Sequence, residues 1–144
     1  MCRLQTTKGS YTLKINIANG ELNNYLNLNA IQELDLVKSN DAEEIVAPFI
    51  FNSIPPNQVL QALSMLRDRL KYDGKLILGG YDVVEFAKLV LLYQIDVEKR
   101  QEIIFNCHNF FSLEEVTELV KKVGFKILSR KLDGMYFLIE GKKL

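Results

Sequence analysis

Residues 54–78 read Ile54-Pro-Pro-Asn-Gln-Val-Leu-Gln-Ala-Leu-Ser-Met-Leu-Arg-Asp-Arg-Leu-Lys-Tyr-Asp-Gly-Lys-Leu-Ile-Leu78, and this stretch decides the fold. Proline suits the opening turn of a helix. The apolar residues that follow recur at intervals of three and four, the spacing of one helical face: Val59, Leu60, Leu63, Leu66 and Leu70. We expect this helix to end before the turn pair Asp73-Gly74.

Apolar segments lie on both sides of that helix. The run from Glu44 to Phe51 is expected to be a strand buried on both faces. A second short strand is expected from Lys75 to Tyr81. A strand, a helix and a strand in this order form a right-handed crossover unit, which predicts a parallel sheet.

Shorter segments precede this unit. Residues 11–17 alternate apolar with polar side chains, which predicts a strand that ends at Ala18-Asn19-Gly20. Residues 25–28 and 34–37 are candidates for a second and a third short strand. Ser39-Asn40-Asp41 then predicts a turn.

A helix with apolar residues around most of its circumference is expected from Val83 to about Ile95, opened by the capping-box spacing of Asp82 and Glu85. Such a helix is buried or contacts a partner, and burial within its own domain is slightly favoured. Residues 96–102 are expected to form a loop or to continue the helix.

The C-terminal part carries a second capping box, Ser112 with Glu115, followed by a helix that Gly124 ends. Two strand-like segments, residues 125–132 and 135–140, flank Asp133-Gly134, the pair that favours a two-residue hairpin turn. Alternating strands and helices closed by such a hairpin predict a three-layer α/β fold with a mostly parallel sheet.

Composition excludes several classes of protein. The 144 residues, 48% hydrophobic and 25% charged with formal net charge +0, favour one domain over residues 1–144 and disfavour a globally basic nucleic-acid binder. No apolar run has the length of a membrane span or a secretory signal, so a cytoplasmic protein without membrane contact is expected. With two cysteines far apart and His108 as the single histidine, no metal site is expected.

Two groups of residues resemble class I S-adenosylmethionine-dependent methyltransferases, in particular small, short-loop, type 11-like members. Residues 70–74, Leu-Lys-Tyr-Asp-Gly, resemble the family's Leu-Lys-Pro-Gly-Gly turn. Residues 109–115, Asn-Phe-Phe-Ser-Leu-Glu-Glu, and Val123-Gly124-Phe125 resemble the segment before its terminal hairpin. The resemblance implies a Rossmann-like methyltransferase fold in a single truncated domain, with a cofactor cleft that is open or closed by a partner subunit.

The same resemblance implies a site for S-adenosylmethionine. Residues 15–20, Ile-Asn-Ile-Ala-Asn-Gly, resemble the family's Leu-Asn-Leu-Gly-Cys-Gly, which makes Asn16, Ala18 and Gly20 candidate cofactor ligands. Residues 25–29, Tyr-Leu-Asn-Leu-Asn, resemble Tyr-Ile-Asn-Ile-Asp, so Asn29 takes the place of an acid that accepts both ribose hydroxyl hydrogens. An amide lacks the charge-assisted bonds of that acid, worth about 1.5–3 kcal/mol, and the cofactor motif is therefore degenerate.

Further candidates follow from the resemblance. Asp41 is a candidate contact for the adenine amino group, and Phe49 for a wall of the cofactor pocket. Asn52 and Tyr81 are the polar groups expected nearest the acceptor substrate. Each of these residues also has an ordinary structural role available, as a turn cap or a core side chain. The family's His-x-x-Glu-His run is replaced by residues 49–53, Phe-Ile-Phe-Asn-Ser, so no catalytic acid or base is identified.

Two functions are thus carried forward. The first is methyl transfer from S-adenosylmethionine to a small-molecule or sugar-like acceptor, in which positioning supplies much of the catalysis. The second is a catalytically degenerate relative that acts as a binding or assembly module, with a homo-oligomer formed through the helix from Val83 to Ile95. A nicotinamide enzyme is disfavoured because no Gly-x-Gly-x-x-Gly follows the first strand.

Overall fold

The computed structural model describes residues 12–144. It contains six strands: β1 (Leu13–Ile17), β2 (Leu26–Leu28), β3 (Ala42–Ala47), β4 (Leu70–Tyr81), β5 (Phe125–Asp133) and β6 (Tyr136–Lys143). The four α-helices are α1 (Val59–Arg69), α2 (Val83–Leu91), α3 (Val97–Asn106) and α4 (Leu113–Lys122).

The strands form one mixed sheet in the order β2-β1-β3-β4-β6-β5. The first four strands in this order are parallel to their neighbours, with Ile15 opposite Ile45 and Ile45 opposite Leu76. The hairpin β5–β6 is antiparallel, and β6 is inserted between β4 and β5. The mostly parallel sheet with a C-terminal antiparallel hairpin is therefore confirmed.

The hydrophobic core lies on one face of the sheet. The register places Ile15, Ile45 and Leu76 side by side on this face, and all three are buried. Leu63 and Leu66 of α1 pack into the same core, together with Val116 and Val120 of α4. Lys14, Glu44 and Lys75 lie on the opposite face and are half-buried or exposed, whereas Asn16 on that face is buried.

Two expected strands differ in the structure. The segment 34–37 is not a strand: Ile31–Leu36 is a 3₁₀-helix, in which Leu34 is buried while Leu36 is 83% exposed. The Arg69 guanidinium donates to the Leu34 carbonyl at 2.8 Å and holds this turn against α1. The strand expected over residues 44–51 ends at Ala47, because Pro48 has no backbone N–H to continue the ladder and a 3₁₀-turn, Phe51–Ser53, follows.

The helix expected from Val83 to Ile95 ends early. Asp82 caps α2 as predicted, accepting a hydrogen bond from the Glu85 N–H at 2.8 Å. The helix stops at Leu91, and Tyr93 takes a left-handed conformation with φ 56°. A separate helix, α3, then begins, because Asp96 caps it in the same way through the Lys99 N–H.

The C-terminal helix and hairpin are close to expectation. Both bonds of the capping box between Ser112 and Glu115 are present at the start of α4. The hairpin turn lies one residue later than predicted, since Asp133 pairs with Tyr136 and the two turn residues are Gly134 and Met135. Gly134 has φ 64° at the first turn position, the position that glycine occupies in a II′ turn.

Candidate functional site

The parallel strands β1, β2 and β3 end at one edge of the sheet, and a cavity of about 500 Å³ lies there. We call it the first cavity. Its wall comes from the residues after the three strands and from α1: Ala18, Asn29, Ala30, Ile31, Gln32, Phe49, Ile50, Ser53, Ile54, Pro55, Gln58, Gln61, Ala62 and Met65. None of these lining side chains carries a charge. Its size is that of a small-molecule site, and ligands in such sheets bind at this edge.

The loop between β1 and β2 is tight. Ala18 has φ 51° and Gly20 has φ 67°, so both take the left-handed conformation that glycine adopts without strain. The Asn16 amide nitrogen donates to the Gly20 carbonyl and to Asn27 Oδ1, both at 2.9 Å. Asn16 Oδ1 is buried and has no partner among the described residues. Of the three candidates from this loop, Ala18 lines the first cavity and Asn16 holds the loop in shape.

Asn29 follows β2 and is exposed in the wall of the first cavity. Its backbone N–H donates to Glu33 Oε1 at 3.1 Å. A carboxylate thus lies beside the end of β2, although it belongs to the 3₁₀-helix and is bonded to the backbone. The Asn29 side chain has no carboxylate partner among the described residues and is one of several polar groups that line the cavity.

A second cavity, of about 620 Å³, adjoins the first one. Phe49 and Ser53 line both. The rest of its wall comes from the 3₁₀-turn after β3, from the end of β4, from α2, from the end of α3 and from the hairpin turn: Asn52, Gly80, Tyr81, Leu89, Asn106, Cys107, Asp133, Gly134, Met135 and Tyr136. The two cavities therefore meet at the loop that follows β3.

Asn52 lies in the wall of the second cavity, but both ends of its amide are bonded within the protein. Asn52 Oδ1 accepts from the Tyr81 N–H at 2.8 Å, and its Nδ2 donates to the carbonyl and side-chain oxygens of Asn109 at 3.3 and 3.4 Å. Gly80 makes this contact possible, because a Cβ there would lie 2.8 Å from Asn52 Oδ1. Asn52 is thus a positioning residue. Tyr81 presents a hydroxyl with no hydrogen-bond partner among the described residues.

Three aromatic rings meet in the second cavity. The Tyr136 ring lies 5.9 Å from that of Phe49 and 5.8 Å from that of Tyr81, between centroids. The Tyr136 hydroxyl donates to the Pro48 carbonyl. Burial, together with the neighbouring Tyr81, raises the pKa of Tyr136 to about 12. Burial also raises the pKa of the Cys107 thiol, so both groups are neutral at pH 7.

Asp41 does not reach either cavity. It directly precedes β3, at the amino end of the strand, whereas both cavities lie at the carboxyl ends. The six residues of β3 separate the two ends of the strand by about 20 Å at 3.3 Å per residue. The expected strand at residues 34–37 would have placed Asp41 after a strand, and its replacement by a 3₁₀-helix removes the basis for an adenine contact.

Sequence reasoning missed Asn109, Tyr136 and Asp133. Asn109 is buried and donates from Nδ2 to the carbonyls of Phe51 and Ile54, both at 2.7 Å, which fixes the loop after β3. Tyr136 and Asp133 reach the second cavity only because β6 pairs with β4, with Tyr81 opposite Tyr136. The Asp133-Gly134 turn signal located the hairpin tip, but no local pattern placed that tip at the carboxyl end of β4.

Comparisons with known proteins agree on the fold. No protein-family model matches the chain, and no curated protein matches it. Among solved structures, a methyltransferase from Archaeoglobus fulgidus described as S-adenosylmethionine-dependent superposes with TM-score 0.64 at 10% identity, covering 93% of this chain and 87% of that one. A Thermotoga maritima protein described as a possible histamine N-methyltransferase gives TM-score 0.60 at 20% identity, covering 83% of this chain and 63% of that one.

A third match is the Burkholderia thailandensis 1,6-didemethyltoxoflavin-N1-methyltransferase with bound 1,6-didemethyltoxoflavin and S-adenosylhomocysteine, with TM-score 0.58 at 11% identity. It covers 83% of this chain, which spans 51% of that protein. No helix in residues 12–144 combines the length and apolar character of a membrane span. The chain has the fold of the class I S-adenosylmethionine-dependent methyltransferases.

Proposed function

We propose that this protein binds S-adenosylmethionine in the first cavity and transfers its methyl group to a small-molecule acceptor in the second. The observation that carries the proposal is the junction of the two cavities at Phe49 and Ser53, since methyl transfer requires donor and acceptor sites in direct contact. The Burkholderia methyltransferase, which holds S-adenosylhomocysteine, shares this fold.

The residues of the first cavity fit the cofactor in part. Its apolar and amide side chains suit an uncharged adenine ring, and Ala18 and Gly20 supply a tight turn after β1. Asn16 Oδ1 is a buried acceptor without a partner in the described part of the chain, but Asn16 does not line the cavity. What departs from the family pattern is Asn29, which offers an amide where two ribose hydroxyls would meet a carboxylate.

S-adenosylmethionine would supply an electrophilic methyl group on a sulfonium centre. The chain contributes positioning: the loop after β3 lines both cavities where they meet, and the Asn52–Tyr81 bond fixes that loop against the end of β4. The described residues place no acid or base side chain at the junction itself. Orientation is therefore the contribution that we assign to the protein.

The experiment is a calorimetric titration of S-adenosylmethionine and S-adenosylhomocysteine into the full chain and into Asn29→Asp. The new carboxylate is expected to raise the affinity for both ligands about tenfold, since hydrogen bonds to a charged group contribute about 1.5–3 kcal/mol. Asn57→Asp is the matched control, because Asn57 is exposed but outside the cavity wall and tests for unspecific attraction to the added charge.

Micromolar binding to the parent chain supports the proposed function and justifies an acceptor screen. Binding only to Asn29→Asp identifies the first cavity as a cofactor site that has lost affinity, which favours the degenerate binding module. No binding of either ligand to any of the three proteins at millimolar concentration contradicts the proposed function.

A second candidate function is assembly, in which two copies associate through the end of α2 and the adjoining helix α3. The observation that favours it is exposure: Leu91 is 75%, Tyr93 94% and Phe105 85% exposed, although such side chains are usually buried. Light scattering of the parent chain is expected to give a dimer mass and that of Leu91→Ser/Tyr93→Ser a monomer mass. Leu36→Ser, exposed at a distant 3₁₀-helix, is the control. A monomeric parent at high concentration contradicts assembly.

A further inference from the structure

The rings of Phe49, Tyr81 and Tyr136 line one side of the second cavity at different inclinations. The Phe49 and Tyr136 planes meet at 41°, and the Tyr81 and Tyr136 planes at 83°. Phe49 is 61% exposed, which leaves much of its ring available to a ligand. Inclined aromatic rings around one space offer several π faces and edges to a single group, as in aromatic cages that hold ammonium ions.

Among the described residues, the second cavity is lined by negative charge and by no positive charge. Asp133 is the one charged side chain among its lining residues, and no lysine, arginine or histidine lines it. Asp133 lies at the exposed tip of the hairpin, so its carboxylate stands at the mouth rather than in the depth of the cavity. A carboxylate or phosphate ligand would find no cation here and would be repelled by Asp133.

The remaining polar side chains that line the second cavity carry no positive charge. The Tyr136 hydroxyl already donates to the Pro48 carbonyl, and the Asn52 amide is bonded to Asn109 and to the Tyr81 backbone. The Tyr81 hydroxyl, the Asn106 amide and the neutral Cys107 thiol are left to contact a ligand. A cavity wall of this composition favours a ligand that has an apolar body and one positively charged group.

We propose that the second cavity binds a small organic cation, an amine or ammonium group on a compact apolar or aromatic body, held by the three rings and by Asp133. Its role as methyl acceptor rests on the proposed function: after the ammonium loses its proton to water, the nitrogen lone pair of the neutral amine forms the new N–C bond as the sulfonium S–C bond breaks and S-adenosylhomocysteine leaves. Binding of the cation itself does not require the cofactor. The shared residue Phe49 would place the cation next to the first cavity.

The test is a matched series of three probes of nearly equal size, titrated into the full chain without any cofactor: phenethylammonium, 2-phenylethanol and phenylacetate. We expect phenethylammonium to bind at millimolar concentration, about tenfold tighter than 2-phenylethanol, with phenylacetate weaker still. Equal binding of the three probes, tighter binding of phenylacetate or no binding of any probe would overturn the inference.

Two variants with matched controls locate the cation. Phe49→Leu is expected to weaken the binding of phenethylammonium about three- to fivefold, while the binding of 2-phenylethanol changes less. Phe105→Leu changes an exposed phenylalanine that does not line the cavity, so it should leave phenethylammonium binding unchanged. Asp133→Asn is expected to weaken the binding of phenethylammonium about threefold at low salt. The control is Glu43→Gln, which removes another exposed carboxylate. Unchanged affinity in both cavity variants would contradict the inference. Since these titrations contain no S-adenosylmethionine, their failure is distinct from failure of the cofactor titration.

Discussion

Replacement of Asp82 by alanine is expected to lower the free energy of unfolding by about 3 kcal/mol, a large part of the 5–15 kcal/mol typical of a domain. Asp82 is buried, and its two carboxylate oxygens serve two helices. Oδ1 accepts from the Glu85 N–H at 2.8 Å in the first turn of α2, and Oδ2 accepts from the Leu113 N–H at 2.6 Å at the start of α4. Both helix N-termini also favour a negative charge.

Two losses add up in this variant. Removal of a helix cap costs about 1 kcal/mol, and the buried Leu113 N–H left without an acceptor costs about 1–3 kcal/mol more. Thermal unfolding should therefore move down by roughly 10 °C. Urea denaturation measures the free energy of unfolding. Asp82→Asn keeps one acceptor oxygen, so its free energy of unfolding should lie between those of the parent chain and Asp82→Ala.

Asp96→Ala is the matched control for Asp82→Ala. Asp96 caps α3 with the same geometry, accepting from the Lys99 N–H at 2.8 Å, but it is exposed and no contact with a second helix is found for it in residues 12–144. Its loss is expected to be about 1 kcal/mol. If the two alanine variants were destabilised equally, the bond between Asp82 and the start of α4 would contribute nothing.

Asn109→Ala is the second substitution with a large expected effect, also about 3 kcal/mol. The side chain of Asn109 is buried, and its two N–H groups satisfy the carbonyls of Phe51 and Ile54. Its loss leaves buried acceptors without their donors, each costing about 1–3 kcal/mol. The loop that it fixes carries Ser53, which lines both cavities, so the junction should loosen as well.

Hydrogen exchange separates these two consequences of Asn109→Ala. The amides of Ser53 and Ile54, bonded within the loop at 3.0 and 3.2 Å, should exchange faster than in the parent chain, beyond the change in global stability. Asn57→Ala, at an exposed asparagine, should stay within about 0.5 kcal/mol of the parent. Normal protection of the loop in Asn109→Ala would show that Asn109 does not hold it.

Local sequence patterns predicted the elements whose conformation depends on residues close together in the chain. The spacing of Leu63 and Leu66 identified α1, and the Ser112–Glu115 capping box identified the start of α4. Both signals act within one or two turns of helix, so the sequence alone contains them. The segment 34–37 was assigned wrongly because its conformation depends on Arg69, which is distant in sequence and bonds to Leu34.

The candidate site was predictable where it follows a strand directly. Ala18 and Asn29 come at the ends of β1 and β2 and line the first cavity. Tyr136 could not be found in this way, because its place beside Tyr81 follows from the pairing of β6 with β4 across the sheet. Asn109 has no local signal either, since its partners lie more than fifty residues away along the chain.

The position of β6 has a consequence for synthesis. Although β6 comes last in sequence order among the six strands, it lies inside the sheet and pairs with β4 along Lys75 to Tyr81 and with β5 on its other side. A nascent chain on the ribosome that lacks residues 136–143 therefore has β4 as an open edge, able to recruit strands from other chains. The sheet closes only after these residues leave the exit tunnel, and until then a chaperone that shields an open strand edge would have its greatest effect.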